Sequence, residues 1–416
     1  MLKATLTPRE SRVDWPMWLA ILGLMLVGTA FIYSATSTRD DLGVWQHFQE
    51  SSFIEFFSWL LRQFYTRQLI AFVLGLGAAG VICLVDYHTL ARWSLVVYGI
   101  GILLLVMVLT PGIGTVRFGA RRWIDLGFLN FQPSEFAKLA FLLLLANFLS
   151  RPLEELREPR IFLKSLALMA LPFVLILKEP DLGSALTLIP VGLTIMFVAG
   201  APARYLKGLA LGGAILVTFV VVDVLVMPSQ WRFIPLAQYQ RERILVYFGA
   251  SFADPDSPAA EQRRARERQR AKTYNIEQAM ISVGSGGLAG KGWREGTQNT
   301  LGYLPRGVAH NDFIFSVIAE ESGFTGSLVV LSLYGVILFT GLRIANQARD
   351  RLGRLIASGI VALFFSHIFI NIGMNIRLMP VTGSQLPLLS YGGTSVLCTL
   401  IAAGVLQNIY IYRKSL

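Results

Sequence analysis

Two aspartates, Asp254 and Asp256, sit in the stretch Ala253-Asp254-Pro255-Asp256-Ser257-Pro258, shortly after Arg241 and Arg243. A loop carboxylate can take the proton of an attacking hydroxyl, and nearby arginines can meet a negatively charged leaving group. The same residues also suit an ordinary Pro/Asp turn. Other ionisable residues stand at the ends of apolar stretches, where an uncompensated charge is costly. Ser134-Glu135-x-x-Lys138 puts a carboxylate and an ammonium on one helix face. That is either a helix cap with a snorkelling lysine or a buried ion pair lining a polar cavity. Asp181 follows Lys178 and Glu179 and opens an apolar run, where a helix N-terminus favours negative charge. Asp312 opens another run, with Glu320 and Glu321 further in, one of which must face protein or water. Arg122 lies among Arg117, Arg121 and Trp123, and Arg377 stands near the end of a later run.

Other chemistries find no support. The histidines His47, His88, His310 and His367 are scattered without paired-ligand spacing, so metal–histidine chemistry is not expected. Cys83 and Cys398 fall inside apolar blocks and suggest neither a disulfide framework nor a metal site. The stretch GSGGLAGKG imitates a nucleotide-binding loop. Its first required glycine is Ser285, however, and Gly292 stands where Ser or Thr should follow Lys291.

These residues must be held by membrane helices. The chain has 416 residues, of which 54% are hydrophobic and only 15% charged, against about 25% charged in a soluble domain. The apolar residues form blocks near the length of about 20 residues that spans a bilayer. Ten spans are expected: 15–36, 68–86, 92–110, 134–150, 161–178, 182–200, 203–227, 313–342, 354–376 and 388–411. The first reads as a transmembrane helix that also targets the chain, not as a cleavable signal. The expected fold is a single all-α polytopic domain over 1–416.

The net charge of +11 would suit a nucleic-acid binder, but the charge lies between apolar blocks, where it sets topology. Lys3, Arg9, Arg12, Arg151, Arg157, Arg160, Arg343, Arg349, Arg413 and Lys414 mark one side as cytoplasmic. Both termini then lie inside, with 1–14 a cytoplasmic tail. Outside lie 37–67, whose aromatic second half suits the membrane interface, and 111–133, 228–312 and 377–387. The 228–312 loop is too long for a connector. Within it, Pro228–Tyr247 suits a short surface helix. Glu261–Lys272, with six basic and two acidic residues and no hydrophobic anchor, reads as a solvated helix or as a contact for anionic headgroups or a partner.

Five stretches in order give the chain a recognisable likeness: RWIDLGFLNFQPSEFAKL (122–139), KEPDLGSAL (178–186), YNIEQAMISVGSGGLAGKGWREGTQNTLGYLP (274–305), NDFIFSVIAEESGFTG (311–326) and GMNIRLMPVTGSQLPLLSYGGTS (373–395). Over nearly its whole length the chain resembles the SEDS family (shape, elongation, division and sporulation), the polytopic glycosyltransferases that polymerise peptidoglycan. Gly296-Thr297-Gln298 resembles the elongation branch, RodA, more than the division branch, FtsW.

The resemblance implies a bacterial inner-membrane enzyme acting on lipid II, a disaccharide-peptide on undecaprenyl diphosphate. It implies a class B penicillin-binding protein and other elongation-complex proteins as partners, membrane lipids around the chain, and no nucleic acid. It implies an aspartate base, best matched by Asp254 and next by Asp256. Glu135, Lys138, Arg122, Asp181, Asp312, Arg377, Gln298 and Ser390 are then expected at the substrate cavity. Arg122, Lys138, Arg377 or a divalent cation such as Mg2+ or Mn2+ would meet the diphosphate. Three features depart from the family pattern: Tyr274 arrives late, so that about 259–272 looks inserted, Ser384-Gln385 is unusual before Leu386-Pro387, and Asn311 precedes Asp312. Two rival readings remain at this point. One is a lipid II flippase, which needs a polar path near the midplane. The other is a non-catalytic scaffold for the penicillin-binding protein.

Overall fold

The computed structural model describes residues 12–36, 52–117, 120–125, 127, 130–227, 233–253, 258–304 and 306–413. A bilayer offers no partner for a free backbone N–H or C=O, so apolar spans close their hydrogen bonds internally as helices. The described chain opens with α1 (Trp15–Thr36), α2 (Phe53–Arg62), α3 (Phe64–Leu84), the short α4 (Tyr87–Arg92) and α5 (Ser94–Leu109). Three strands follow, β1 (Gly114–Arg117), β2 (Ala120–Asp125) and β3 (Asn130–Phe131). Next come α6 (Pro133–Leu149), α7 (Leu153–Leu156), α8 (Pro159–Lys178), α9 (Leu182–Ala199) and α10 (Ala203–Leu225). The large loop contains α11 (Gln238–Phe248), α12 (Ala259–Ser285), α13 (Thr297–Thr300) and α14 (Arg306–Ala309). The chain closes with α15 (Ile314–Gln347), α16 (Arg351–Asn375) and α17 (Gly393–Tyr412).

Among the described residues, α1, α3, α8, α9, α10, α15, α16 and α17 are long and apolar enough to cross a membrane. α5 and α6 are shorter, at 16 and 17 residues. Each expected span therefore falls on a helix, and the all-α membrane fold is present. The part not expected is the antiparallel sheet in 111–133, ordered β1-β2-β3. Gly114 pairs with Ile124, Arg117 with Ala120, and Ile124 with Phe131. Successive residues of a strand point to opposite faces, so β2 sends Arg122 and Trp123 to different sides.

α16 is the most enclosed helix, packed by α9 and α15, while α3 lies along α17 and α5 along α6. α10 is peripheral: its buried residues are Asp223 and Val224 alone. Asp223 accepts the Phe233 N–H at 3.0 Å, which ties α10 to the chain that follows it.

The glycine-rich stretch that imitates a nucleotide loop has a structural task. α15 is interrupted at Gly323 (φ 67°, ψ −162°), and the stretch wedges into that break. Lys291 and Gly292 N–H donate to the Glu320 and Glu321 carbonyls, each at 3.0 Å, and Phe324 N–H donates to Gly287 at 2.8 Å. A Cβ on Gly290 would come within 2.1 Å of the Glu321 carbonyl oxygen, so only glycine permits the approach.

Candidate active site

A cavity of about 410 Å³ opens where β2, the α8–α9 turn, α11, α12 and the chain before α17 converge. Its walls include the cations Arg122, Arg243, Lys272 and Arg377 and the carboxylates Asp312 and Glu242. Tyr239, Tyr247, Met379 and Val381 supply the apolar part.

The turn between α8 and α9 fixes Arg122. Arg122 Nε donates to the Glu179 carbonyl at 3.2 Å, and Nη2 donates to the Pro180 carbonyl. Nη1 lies 4.0 Å from Asp181 Oδ1. Asp181 caps α9 as expected, accepting the Ser184 N–H at 3.1 Å. It also accepts from Gln132 Nε2 at 2.9 Å and Ser134 Oγ at 3.2 Å. Burial pushes the Asp181 carboxyl up, but Arg122, Lys138 and the Ser184 hydrogen bonds outweigh it and hold the group below its ordinary value. Asp181 is thus a fixed anion behind Arg122. Glu179 behaves oppositely: burial, then the negative Asp181, push its carboxyl up to about 9.

Asp312 is pinned by its backbone. Asn371 and Asn375, one turn apart on α16, both donate to its carbonyl at 3.1 Å. Its side chain faces the cavity. Burial pushes that carboxyl up to about 6, Asp181 adds to the rise, and Arg122 and Arg243 oppose it. Gly383 (φ +74°) completes this corner. A Cβ there would lie 3.7 Å from Asp312 Oδ2 and 3.9 Å from Arg122 Nη1.

Arg243 reaches the cavity from α11 with its guanidinium 5.8 Å from the Tyr239 ring centroid. Its Nη1 has no hydrogen-bond partner among the described residues. Burial, then the neighbouring Arg122, lower its hold on the proton. An arriving anion relieves that repulsion. Across the mouth, Tyr247 donates to the Leu378 carbonyl at 3.1 Å, next to Arg377.

The expected cavity residues divide. Arg122, Asp312 and Arg377 line the cavity, and Asp181 stands directly behind it. Glu135 and Lys138 do form a buried ion pair, at 2.7 Å, with Lys138 only 2% exposed. They sit deep among the helices beside a space of about 10 Å³, and Lys138 Nζ is also 2.9 Å from His367 Nε2. Lys138 is therefore committed to its neighbours and is not a wall of the large cavity. Gln298 belongs to the wedge at α15, where its N–H donates to Glu320 Oε1 at 3.0 Å. Ser390 closes a turn, accepting the Leu386 N–H at 2.8 Å and donating to the Asn311 carbonyl at 2.6 Å. Neither lines the cavity. Asp254 and Asp256 lie outside the described residues.

Sequence reasoning missed Lys272 and treated Arg243 only as a motif neighbour. The available signal was helical spacing: Tyr239 and Arg243 are four apart on one face. As for a divalent cation, no group of three His, Cys, Asp or Glu among the described residues could hold one. Glu242 is already paired with Lys272 and lies 3.7 Å from Arg268.

Apolar helices around a cationic cavity beneath a folded loop define a polytopic membrane protein with a site for an anionic ligand. The cell cycle protein family of FtsW, RodA and SpoVE matches residues 15–415, and the chain belongs to this family. It is 34% identical over 406 residues to peptidoglycan glycosyltransferase MrdB of Escherichia coli, covering 97% of this chain and 95% of that one. It is 35% identical over 410 residues to stage V sporulation protein E of Bacillus subtilis, covering 98% and 100%. Among solved structures, a chain of a peptidoglycan synthase complex that coordinates polymerization and crosslinking matches with a TM-score of 0.72. It is 28% identical, with 97% and 99% of the two chains covered. The rod shape determining protein RodA of Thermus thermophilus matches with a TM-score of 0.61 and 27% identity, covering 97% and 98%.

Proposed function

We propose that this chain is a peptidoglycan glycosyltransferase that polymerises lipid II for cell-wall elongation. The observation that carries the reading is the cavity with four cationic side chains, the countercharge that a departing lipid diphosphate requires. The similarity to MrdB over nearly the whole chain supports the same activity.

In the reaction, the 4-hydroxyl of a lipid II GlcNAc attacks the anomeric carbon of the growing glycan. The new O–C bond forms as the bond from that carbon to the diphosphate oxygen breaks, and the leaving diphosphate takes the electron pair. One displacement inverts α to β, so no covalent enzyme intermediate is needed. The acceptor proton goes to Asp254, with Asp256 its rival. Such a base contributes about 10²–10⁴-fold. Arg122, Arg243, Lys272 and Arg377 face the departing charge. Ala253, the residue before Asp254, packs against the same small apolar cluster as Val381 of the cavity wall, which supports a base at this cavity.

The cavity end faces outward and both termini face the cytoplasm, a reading supported by the Lys- and Arg-rich loops at the other end. The membrane is the bacterial inner membrane. The partner is a class B penicillin-binding protein within the elongation complex, supported by the likeness to a chain of a synthase complex. A flippase gains no support: the deep Glu135–Lys138–His367 group is mutually engaged beside a space of about 10 Å³.

The test is polymerisation of lipid II by purified protein with a partner that has no glycosyltransferase of its own. Asp254→Asn should abolish polymer at equal folding, and Asp256→Asn should reduce it less. Full polymer from both variants would remove the base assignment.

A further inference from the structure

The stretch at 259–272 that looks inserted forms the first half of α12, and it is not solvated all round. Ala265 is buried, sharing a small apolar cluster with Val224, Leu245, Val246, Phe252 and Ile276, apart from the main core. Lys272 pairs with Glu242 of α11. Ala265, Arg268, Gln269 and Lys272 thus follow the three-and-four spacing of one helix face. Arg263, Arg264, Arg266 and Arg270 point outward and are exposed.

Gln269 makes the specific contact. Its Oε1 accepts the Phe252 N–H at 3.0 Å, and its Nε2 donates to the Ala250 carbonyl at 3.1 Å. One side-chain amide therefore pairs with the backbone as an adjacent strand would. The segment needs such a partner. α11 ends at Gly249, and Ala250 N–H closes it on the Leu245 carbonyl at 2.8 Å. Beyond that point no regular element continues through Ala253. The backbone there is held by the Gln269 amide and by Ser251 Oγ, which accepts the Ala253 N–H at 3.1 Å.

We infer that the insertion is a splint: Gln269 is a positioning residue that fixes the backbone leading into Asp254, two residues past Phe252. The inference rests on the reading of Asp254 as base. A base acts only within hydrogen-bond reach of its proton, so slack in this segment lowers turnover before it weakens substrate binding.

The test compares Gln269→Leu, Gln269→Glu and Arg264→Ala in the full chain with its partner, using lipid II as substrate. Gln269→Leu removes both bonds. Gln269→Glu keeps the acceptor for Phe252 N–H and loses the donor to Ala250. Arg264→Ala changes an exposed residue of the same helix. A misplaced catalytic group costs up to about 10²-fold, so Gln269→Leu should lower kcat about tenfold or more and move KM less than about twofold. Gln269→Glu should fall between, and Arg264→Ala should match the parent. Amide exchange at Phe252 should quicken in Gln269→Leu while Tm holds. An unchanged kcat in Gln269→Leu, or equal losses in Gln269→Leu and Arg264→Ala, would overturn the splint. So would a loss that only tracks the unfolded fraction. Asp254→Asn separates the two claims. If it is inactive while Gln269→Leu is fully active, only the splint fails; if it is active, the base reading falls and the splint with it.

Discussion

Arg122 donates to the backbone carbonyl of Glu179 at 3.2 Å, while the carboxylate of the same glutamate is buried without a hydrogen-bond partner among the described residues. Cation and acid sit side by side without forming an ion pair. The arginine is anchored by the turn, and the glutamate keeps its proton.

That arrangement sets a pH dependence. The Glu179 carboxyl rises from 4.5 to about 9, by burial first and then by Asp181. Between those values the folded state holds a proton that the unfolded chain releases, so stability falls as pH rises through the window. Glu179→Gln keeps the shape and removes the titration. Thermal unfolding in detergent at pH 5, 7 and 9 should show the variant gaining on the parent at each step. A gap that is constant or shrinks with pH would contradict the assignment.

The Arg122 anchor is a fork, and a lysine cannot reproduce it. Arg122→Lys keeps the charge but offers one nitrogen in place of the three that reach the Glu179 carbonyl, the Pro180 carbonyl and Asp181. Lipid II polymerisation should drop by about ten- to a hundredfold, the effect of a charge-assisted hydrogen bond worth about 1.5–3 kcal/mol, and Arg122→Ala should fall further. Quantifying glycan product at matched protein would decide this. Parent activity in Arg122→Lys would mean that charge alone suffices.

The helices were legible because the bilayer forces a long apolar signature on each of them. The β1-β2-β3 sheet was not, since short strands between helices carry little pattern, yet it decides which way Arg122 points. Glu135 and Lys138 were legible as a candidate buried ion pair but not as one held apart from the large cavity, because His367, 229 residues away in sequence, completes their surroundings. Arg243 and Lys272 come to the same cavity only once α11 and α12 pack, and the four-residue spacing of Tyr239 and Arg243 says nothing of Lys272. Gln298 and Ser390 show the converse. Both lie in recognisable motifs, and both serve turns: one holds the wedge at Glu320, the other ties Leu386 to Asn311.

The Glu135–Lys138 pair yields a mutant cycle. Removing one partner of a buried pair leaves an uncompensated charge and costs about 3–5 kcal/mol, whereas removing both can be nearly neutral. Lys138→Met should lower Tm sharply, and so should Glu135→Leu. The double variant should recover most of the loss, a non-additivity expected of residues in contact. Additive losses would mean that the two groups act separately.

The wedge at α15 gives a contrast between two glycines six residues apart. Gly290 has φ +83°, and a Cβ there would meet the Glu321 carbonyl oxygen at 2.1 Å. Gly290→Ala must therefore open the ladder to Glu320 and Glu321 or adopt a strained backbone, which costs of order 1–3 kcal/mol. Gly284 lies in the last turn of α12, exposed, with nothing within 4 Å of an added Cβ. Gly284→Ala should stabilise the helix by about 0.5–1 kcal/mol, because alanine has less backbone freedom to lose. Unfolding of the two variants should shift in opposite directions. Gly290→Ala at parent stability would show that the glycine-rich stretch is not tightly seated in the break of α15.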